Sequence, residues 1–275
     1  MIEMPEAFTL ARQMNEALTG KTIQRFEQGE LRHKFLMMDR PVEESSAILT
    51  GKTISGASSY GRSIYLNMDS GHMQWFAEIG GRFLYHPAAG PLPAKYHLRW
   101  DFSDGTSLSF TLQMWGIVRL IENVRPGEKP AREVGIPPLS AEFTFERFNQ
   151  LLEAYPEKNS KGVKGFLVTS QHMNGGGNSY AQDILFRARL SPKRKIPEIS
   201  APEREQLYQA VQETMRLAIE SGGREDERDL FDQPGGYRRM MSSQTAGSPC
   251  PVCGSPIQKI AYLGGACYLC PQCQT

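Results

Sequence analysis

The sequence predicts an α+β protein in which a β-rich first half precedes a helical second half. Three observations support this prediction. Short strand-like runs separated by turn signals occupy residues 22–123, segments with helical periodicity follow residue 142, and all five cysteines lie between Cys250 and Cys273. A chain of 275 residues that is 40% hydrophobic is long enough to bury a core in more than one domain.

The chain is predicted to begin with a helix. Between residues 5 and 18 the apolar side chains fall on one helical face, Pro5 suits the first turn, and Gly20 is placed to end the helix. Strand-like runs follow, among them 63–68, 82–85, 96–102 and 107–112. Turn signals such as Asp69-Ser70-Gly71 and Asp104-Gly105 separate them, which is typical of an antiparallel sandwich or barrel.

Residues 125–139 contain four prolines and two glycines, which is typical of a linker. Helical spacing follows at 143–155, 163–171, 179–190 and 202–221. A polar, glycine-rich stretch after Gly222-Gly223 then leads to the cysteines. These shifts predict three domains: a β-sandwich domain at 1–130, a helical domain at 131–240 and a four-cysteine ribbon at 241–275.

The charge is balanced over the whole chain but not along it. There are 31 Lys and Arg against 30 Asp and Glu, and the net charge of +1 gives by itself no support to a nucleic-acid partner. Residues 1–160 contain 17 basic and 19 acidic side chains and are slightly acidic. Residues 161–275 contain 14 basic and 11 acidic side chains and are slightly basic. Between 184 and 195 five basic residues occur without an acid: Arg187, Arg189, Lys193, Arg194 and Lys195. This stretch is a candidate phosphate contact, and the alternative is a solvated basic face near a helix end.

The cysteines have the spacing of a metal site. Cys250 and Cys253 form one Cys-x2-Cys pair, Cys270 and Cys273 form the second, and sixteen residues separate the pairs. This arrangement is typical of one tetrahedral, structural zinc ion in a β-hairpin ribbon that is too small to fold without metal. Cys267 is then left over as a free thiol. Disulfide pairing is the alternative, although the cysteine-free remainder of the chain is unlike a secreted disulfide scaffold.

A glycine-rich turn lies between two of the predicted helices. Gly175-Gly176-Gly177 is followed by Asn178 at a helix start, and such a turn exposes backbone N–H groups that favour a phosphate together with the helix dipole. The string matches neither the dinucleotide fingerprint nor a P-loop. On the residues alone, a simple connector between helices is the commoner alternative.

Taken in order, these features resemble the family of formamidopyrimidine-DNA glycosylase and endonuclease VIII, bacterial base-excision repair enzymes. Gly177-Asn178-Ser179-Tyr180-Ala181-Gln182-Asp183-Ile184-Leu185 is similar to the family's helix-two-turn-helix signature, and the four-cysteine ribbon is similar to its zinc finger. The opening Met1-Ile2-Glu3-Met4-Pro5-Glu6 resembles the family's Met-Pro-Glu-Leu-Pro-Glu start. The resemblance covers nearly the whole chain.

The resemblance implies a β-sandwich, a helix-two-turn-helix domain and a zinc ribbon that form a cleft for bent double-stranded DNA. The damaged nucleotide is everted there, because its base must leave the stack to be reached. The resemblance further implies that Lys164 and Asn178 bind phosphates, and Arg187 of the basic stretch is a further candidate DNA contact. Trp115 is a candidate to fill the gap left in the duplex, and the alternative is a core aromatic residue.

The active centre departs from the family pattern. Family members expose a proline amine after Met removal, but here Ile2 takes that position. Met1 is therefore expected to stay attached, and its primary amine is the candidate nucleophile. The family's hairpin Gly-Lys is Gly61-Arg62 here, and Arg62 keeps the positive charge without serving as an amine nucleophile. In the ribbon, Gly265 stands where the family has a phosphate-gripping Arg.

Two acidic residues keep the family pattern. Glu3 matches the catalytic carboxylate that protonates the sugar ring oxygen, and Glu6 matches the helix-start glutamate. Helix capping is the alternative role for both. The resemblance implies a glycosylase that excises a damaged base by N-glycosidic hydrolysis in base excision repair, and the departures at Ile2 and Arg62 imply that its AP lyase activity is weak or lost. The alternatives are a non-catalytic protein that binds damaged or bent DNA and, with less support, a zinc-ribbon module that binds RNA or protein.

The sequence gives no indication of a membrane segment. No stretch approaches the roughly 18 to 20 consecutive apolar residues that span a bilayer, and the N-terminus has no charged segment followed by an apolar one. We therefore expect a monomer in the bacterial cytoplasm that is associated with the nucleoid when bound to DNA.

Overall fold

The structure is a computed structural model that describes residues 1–91, 95–125, 134–169 and 172–275. The chain divides into two compact units. The first comprises Met1–Glu133 and Gly222–Gly236, and the second comprises Val134–Ser221 and Tyr237–Thr275. The domain boundary expected after residue 130 and part of the expected linker lie outside the described residues, so the three-domain division stays a prediction.

The first unit combines helices with two β-sheets. Its helices are α1 (Met4–Leu18) and α2 (Val42–Leu49). Its strands are β1 (Ile23–Gln28), β2 (Leu36–Met38), β3 (Ile54–Tyr60), β4 (Ser63–Met68), β5 (His72–Ala77), β6 (Gly81–His86), β7 (Leu98–Phe102), β8 (Ser107–Leu112) and β9 (Gly116–Ile121). The predicted leading helix is confirmed. The sequence did not predict α2, because its eight residues are too few to show a clear helical period.

One sheet has the strand order β1-β7-β8-β6 and the other has the order β2-β9-β5-β4-β3. The pairs follow the predicted antiparallel arrangement with one exception, since β2 and β9 are parallel and place Leu36 opposite Gly116. Two parallel neighbouring strands require a long connection. Here the segment that connects β2 to β9 along the sequence contains every element from α2 to β8. A pattern of short runs and tight turns does not reveal such a pairing.

The two sheets and α1 share one hydrophobic core. Trp100 of β7 donates its indole N–H to Oε1 of Gln74 in β5 at 2.7 Å. The ring centroids of Phe76 in β5 and Phe83 in β6 lie 5.1 Å apart. Each contact joins strands of different sheets, so the sheets pack face to face as a β-sandwich. The buried apolar face of α1 fixes the first residues of the chain beside this core.

In its described residues, the second unit contains four α-helices, a short 3-10 helix at Ile196–Glu198 and a hairpin. The helices are α3 (Phe145–Ala154), α4 (Gly162–Thr169), α5 (Asn178–Arg187) and α6 (Ala201–Glu220), and the hairpin strands are β10 (Gln258–Tyr262) and β11 (Gly265–Leu269). The four predicted helical segments are thus present, although residues 170 and 171 of the second segment lie outside the described residues. At α6, Ser200 and Glu203 form a capping box ahead of the amphipathic run. Within the described ranges, no helix has the length and apolar character needed to cross a membrane.

Candidate functional site

The first cluster of candidate residues surrounds the beginning of the chain, in the first unit. The backbone N–H of Ile2 donates to the carbonyl of Ile79 at 2.8 Å. Glu3 is the N-cap of α1 and forms a capping box with Glu6, whose Oε2 accepts the Glu3 backbone N–H at 3.0 Å. The capping role considered from the sequence is therefore present for both residues. It also holds the Glu3 carboxylate in a fixed place, where the residue is only 2% exposed.

Arg224 brings a buried positive charge to these two carboxylates. The residue is 3% exposed, and its Nη1 lies 3.1 Å from Oε2 of Glu6 and 3.7 Å from Oε1 of Glu3. Its backbone N–H also donates to Oε1 of Glu6 at 3.1 Å. A buried guanidinium is tolerated only when it is paired and hydrogen-bonded, and these contacts meet that condition. The segment that contains Arg224 thereby fixes the geometry around Glu3.

The terminal amine lies in the same cluster. The Met1 ammonium donates to Oε1 of Glu227 at 3.0 Å. The same oxygen accepts from Nη2 of Arg224 at 2.7 Å, and that Nη2 also donates to the Met1 carbonyl at 2.6 Å. The candidate nucleophile is therefore held in an ion pair.

Arg62 contacts a neighbouring part of this unit. It lies in the turn between β3 and β4, and its Nη2 is 2.7 Å from Oε1 of Glu78. Glu78 has a φ of 51°, a left-handed conformation that is uncommon for a residue other than glycine. The next residue is Ile79, which accepts the Ile2 N–H. Arg62 is therefore linked through residues 78 and 79 to the start of the chain.

Trp115 lies at an exposed edge of the first unit. The residue is 40% exposed, so it is not the core aromatic that the sequence left as an alternative. Its carbonyl accepts the N–H of Gly80 at 2.8 Å, and a Cβ on Gly80 would lie only 2.8 Å from Cβ of Met114. Phe35 and Met114 are 48% and 45% exposed, and the Phe35 carbonyl accepts the N–H of Gly116, next to Trp115, at 3.0 Å. Large apolar side chains exposed together indicate a binding surface.

In the second unit, two candidates contact the turn of the hairpin. Nζ of Lys164 donates to the Tyr262 carbonyl at 3.2 Å, and Nδ2 of Asn178 donates to the Ala266 carbonyl at 3.4 Å. These acceptors flank Gly264-Gly265, where a phosphate-binding Arg was expected from the resemblance and is absent. Lys164 is 1% exposed, and this burial lowers the pKa of its amine. The structure thus brings Lys164 and Asn178 to one turn.

Arg187 lies at the opposite end of α5 from Asn178. Arg187 is nine positions after Asn178, which corresponds to about 13 Å along the helix axis. Nη1 of Arg187 is 2.9 Å from Oε1 of Glu213 on α6. The structure does not bring Arg187 to the hairpin turn that Asn178 contacts.

Asp183 stabilises the segment that leads to the ribbon. Its Oδ2 accepts from the Tyr237 hydroxyl at 2.9 Å and from the Met240 N–H at 3.0 Å, and its Oδ1 accepts from the Met241 N–H at 2.8 Å. The residue is fully buried, and this burial raises the pKa of its carboxyl. In the sequence, Asp183 was visible only as part of the helix-two-turn-helix signature.

The four predicted cysteine ligands form a cluster that could hold a metal ion. Their sulfur atoms all lie within 4.8 Å of one another. The Sγ atoms of Cys250 and Cys273 are 3.9 Å apart, and those of Cys253 and Cys270 are 3.4 Å apart. Metal–sulfur bonds of about 2.3 Å in a tetrahedron would separate the sulfur atoms by about 3.8 Å. The donor set therefore fits one tetrahedral ion.

The ribbon backbone supports this cluster. Gly254 has a φ of 75°, and its N–H donates to the Cys250 carbonyl at 2.9 Å, which closes the first Cys-x2-Cys turn. Hydrogen bonds from Ser255 lower the pKa of the Cys253 thiol to about 6, which favours the thiolate that binds metal. All five cysteines are free, so the disulfide alternative is not supported, and Cys267 is not part of the cluster.

Two sequence profiles match the chain. The profile of the formamidopyrimidine-DNA glycosylase N-terminal domain matches residues 1–113, and that of the formamidopyrimidine-DNA glycosylase H2TH domain matches residues 134–228. The chain belongs to the formamidopyrimidine-DNA glycosylase family. The predicted family is thus confirmed.

Relatives of this family match the chain along its whole length. The formamidopyrimidine-DNA glycosylase of Halalkalibacterium halodurans is 28% identical, with 100% of both chains covered. That of Cytobacillus firmus is 29% identical, also with 100% of both covered. Among solved structures, MutM (Fpg) of Thermus thermophilus superposes with a TM-score of 0.81 at 26% identity, covering 99% of this chain and 98% of the other. The Lactococcus lactis Fpg in complex with an abasic site containing DNA has a TM-score of 0.84 at 24% identity, covering 99% of each chain.

The sequence analysis did not identify Arg224 and Glu227 as residues of the candidate site. The available signal was a run of six consecutive charged residues from 224 to 229, directly after Gly222-Gly223. Their partners Met1, Glu3 and Glu6 lie more than 200 positions earlier in the chain. No local pattern indicates such a pairing.

Proposed function

We propose that the chain is a DNA glycosylase that binds damaged double-stranded DNA and excises the damaged base in base excision repair. The relatives from Halalkalibacterium halodurans and Cytobacillus firmus are formamidopyrimidine-DNA glycosylases, and the Lactococcus lactis structure is a complex with DNA. The observation that carries the proposal for this chain is the placement of Glu3. Its carboxylate is buried and fixed between the α1 capping box and Arg224.

In the proposed reaction, Glu3 gives a proton to the ring oxygen of the sugar as water adds to C1′ and the C1′–O4′ bond breaks, and a proton of the water returns to Glu3. The C1′–N bond of the resulting hemiaminal then breaks while its hydroxyl proton passes to the base, which leaves an aldehyde at C1′ and the free base. A positioned acid contributes roughly 10² to 10⁴-fold to such a rate. The rigid surroundings of Glu3 support this role, because an acid held in one geometry loses little freedom in the transition state. Glu6 and Arg224 are positioning residues that hold Glu3 and the start of α1.

AP lyase activity is weak or lost in this proposal. A lyase step requires an amine that attacks C1′. The Met1 ammonium is paired with Glu227, and Arg62, where the family has a lysine, is paired with Glu78. A guanidinium does not act as an amine nucleophile. Met1 and Arg62 therefore contribute positive charge near the bound strand rather than a covalent intermediate.

The proposed DNA contacts come from both units. Asn178, at the N-terminal end of α5, binds a phosphate with the help of the helix dipole. Lys164 acts indirectly, since its buried amine holds the hairpin turn through the Tyr262 carbonyl. Arg187 contacts the backbone of the duplex as a further positive charge. The exposed side chain of Trp115 stacks on the bases beside the everted nucleotide.

We propose that the metal ion held by the four cysteines is zinc. Four thiolates at these distances are typical of structural zinc sites, and saturation by four ligands leaves no position for substrate. When bound, zinc would supply folding energy to the ribbon rather than chemistry at the sugar. The proposed setting is the bacterial cytoplasm, where thiols stay reduced, and the protein acts there as a monomer.

A second candidate function is binding of damaged or bent DNA without catalysis. The observation that favours it is that the Met1 amine and Arg62, which stands where the family has a lysine, are both engaged in ion pairs. In this second function the proposed DNA contacts are the same, and the only role of Glu3 is to cap α1.

Base release separates the two functions. The full-length, metal-loaded protein is incubated with duplexes that contain an oxidised purine, an oxidised pyrimidine or an abasic site, and free base is quantified. The proposed function requires release from at least one lesion and little borohydride-trapped complex. Binding to these duplexes without base release from any of them, at high protein concentration, would instead establish the second candidate.

A further inference from the structure

We propose that Glu227 withholds the Met1 amine from covalent chemistry, and so determines that the reaction of this chain stops after base release. The inference rests on the proposed glycosylase function, because only base release produces the abasic sugar that the amine could attack. It assigns Glu227 as a positioning residue that controls which reaction follows base release.

The start of the chain is held at two points by the segment after Gly223. The Met1 ammonium donates to Oε1 of Glu227, and the Met1 carbonyl accepts from Nη2 of Arg224 at 2.6 Å. Nη2 of Arg224 also binds Oε1 of Glu227 at 2.7 Å, so that a single carboxylate oxygen joins the two cations. Because Arg224 is itself only 3% exposed, its side chain has little room to move.

The ion pair opposes each step of amine attack. The ammonium must first lose a proton to expose its lone pair. The amine then adds to the C1′ aldehyde of the ring-opened sugar, and water leaves as the C–N double bond forms. In the observed geometry the nitrogen instead donates a hydrogen bond to Glu227 at 3.0 Å. Removing the negative charge of Glu227 removes the ion pair that holds the nitrogen in this place.

The test compares E227Q with wild type and with D226N. E227Q keeps the size of the side chain and removes its charge. D226N is the matched control, because Asp226 also pairs with Arg224, at 3.1 Å from Nε, whereas the acceptor of the Met1 ammonium remains in this variant. E227D, which keeps the charge, is the conservative variant.

The first readout is borohydride trapping on an abasic-site duplex. We expect E227Q to form trapped complex at least about tenfold faster than wild type, a change of about 1.4 kcal/mol in the activation free energy. D226N and E227D should trap at close to the wild-type rate. Equal trapping by E227Q and wild type, or efficient trapping by wild type itself, would overturn the inference.

The second readout needs no DNA and so separates this inference from the proposed function. The α-amine of Met1 is reductively methylated with formaldehyde and cyanoborohydride, and the N-terminal peptide is followed by mass spectrometry. E227Q should react several-fold faster than wild type and D226N, and unchanged reactivity overturns the inference even if E227Q is less stable. If the methylation rate rises while no protein releases base from any duplex, the ion pair controls the amine and the proposed glycosylase function has failed.

Discussion

Arg224 and Glu6 form a buried ion pair that ties residues 222–236 to the first turn of α1. Nη1 of Arg224 lies 3.1 Å from Oε2 of Glu6, and the backbone N–H of Arg224 donates to Oε1 at 3.1 Å. Gly223 permits this approach, since its φ is 93° and a Cβ there would lie 3.1 Å from the Glu6 side chain. The pair therefore supports the site in which Glu3 and Met1 are held.

Replacement of Arg224 should destabilise the first unit strongly. R224M leaves the Glu6 carboxylate buried without its charged partner, and breaking a buried pair in this way costs about 3–5 kcal/mol of unfolding free energy. Urea denaturation measures this loss. R228M is the control, because Arg228 is exposed, and it should change stability by less than about 0.5 kcal/mol. An R224M protein as stable as R228M would contradict the structural role of the pair.

Loss of one zinc ligand should unfold the ribbon, whereas loss of the spare cysteine should not. C250S removes one of four clustered thiols, so the protein should bind less than one equivalent of zinc and lose the ordered ribbon. C267S removes a buried thiol outside the cluster and should keep one equivalent. Metal analysis and limited proteolysis of the two variants check this prediction. Stoichiometric zinc in C250S would show that the four-thiol site is wrongly assigned.

Asn178 should contribute to DNA affinity without contributing to lesion preference. N178A is expected to weaken binding by about tenfold on damaged and undamaged duplexes alike, because a phosphate contact carries no base information. The salt dependence of binding should stay close to that of wild type, since Asn178 carries no charge. Q206A, which removes an exposed amide from α6, is the control. A defect confined to damaged duplexes would contradict the phosphate assignment.

Lys164 should give the protein a pH-dependent stability. Burial lowers the pKa of its amine, so the folded chain binds the proton less tightly than the unfolded chain. Stability should therefore rise as pH increases from the lowered pKa toward the ordinary lysine value of about 10.4. K164M lacks this gain, so the difference in unfolding free energy should shift in favour of wild type between pH 7 and about pH 9.5. A constant difference, or a shift in favour of K164M, would contradict the burial of a lysine amine.

Sequence patterns predicted the parts of the molecule whose signals are local. The apolar face of α1, the helical spacing at 202–221 and the two Cys-x2-Cys turns are each encoded within short stretches of sequence. The parallel pairing of β2 with β9 was missed, because strand order depends on contacts that lie far apart in sequence.

Residues of the candidate site could likewise be predicted only where their signals are local. Glu3 and Glu6 could be named because they stand at a helix start and match a family motif. Arg224 and Glu227 could not, since they meet α1 and Met1 only in the folded unit. Lys164 is a further example. Its place in the sequence indicates a phosphate contact, whereas in the folded protein its side chain is buried and its amine binds the hairpin turn.

Single-turnover base release by E3Q tests the assignment of Glu3 most directly. Wild type, E3Q and E16Q are compared on a duplex with an oxidised purine, and E16Q is the control because Glu16 is an exposed acid of the same helix that pairs with Arg12. We predict that E3Q releases base roughly 10² to 10⁴-fold more slowly than wild type and E16Q, with a Kd for the duplex that stays within about twofold. Base release by E3Q at the wild-type rate would contradict the assignment of Glu3 as the acid.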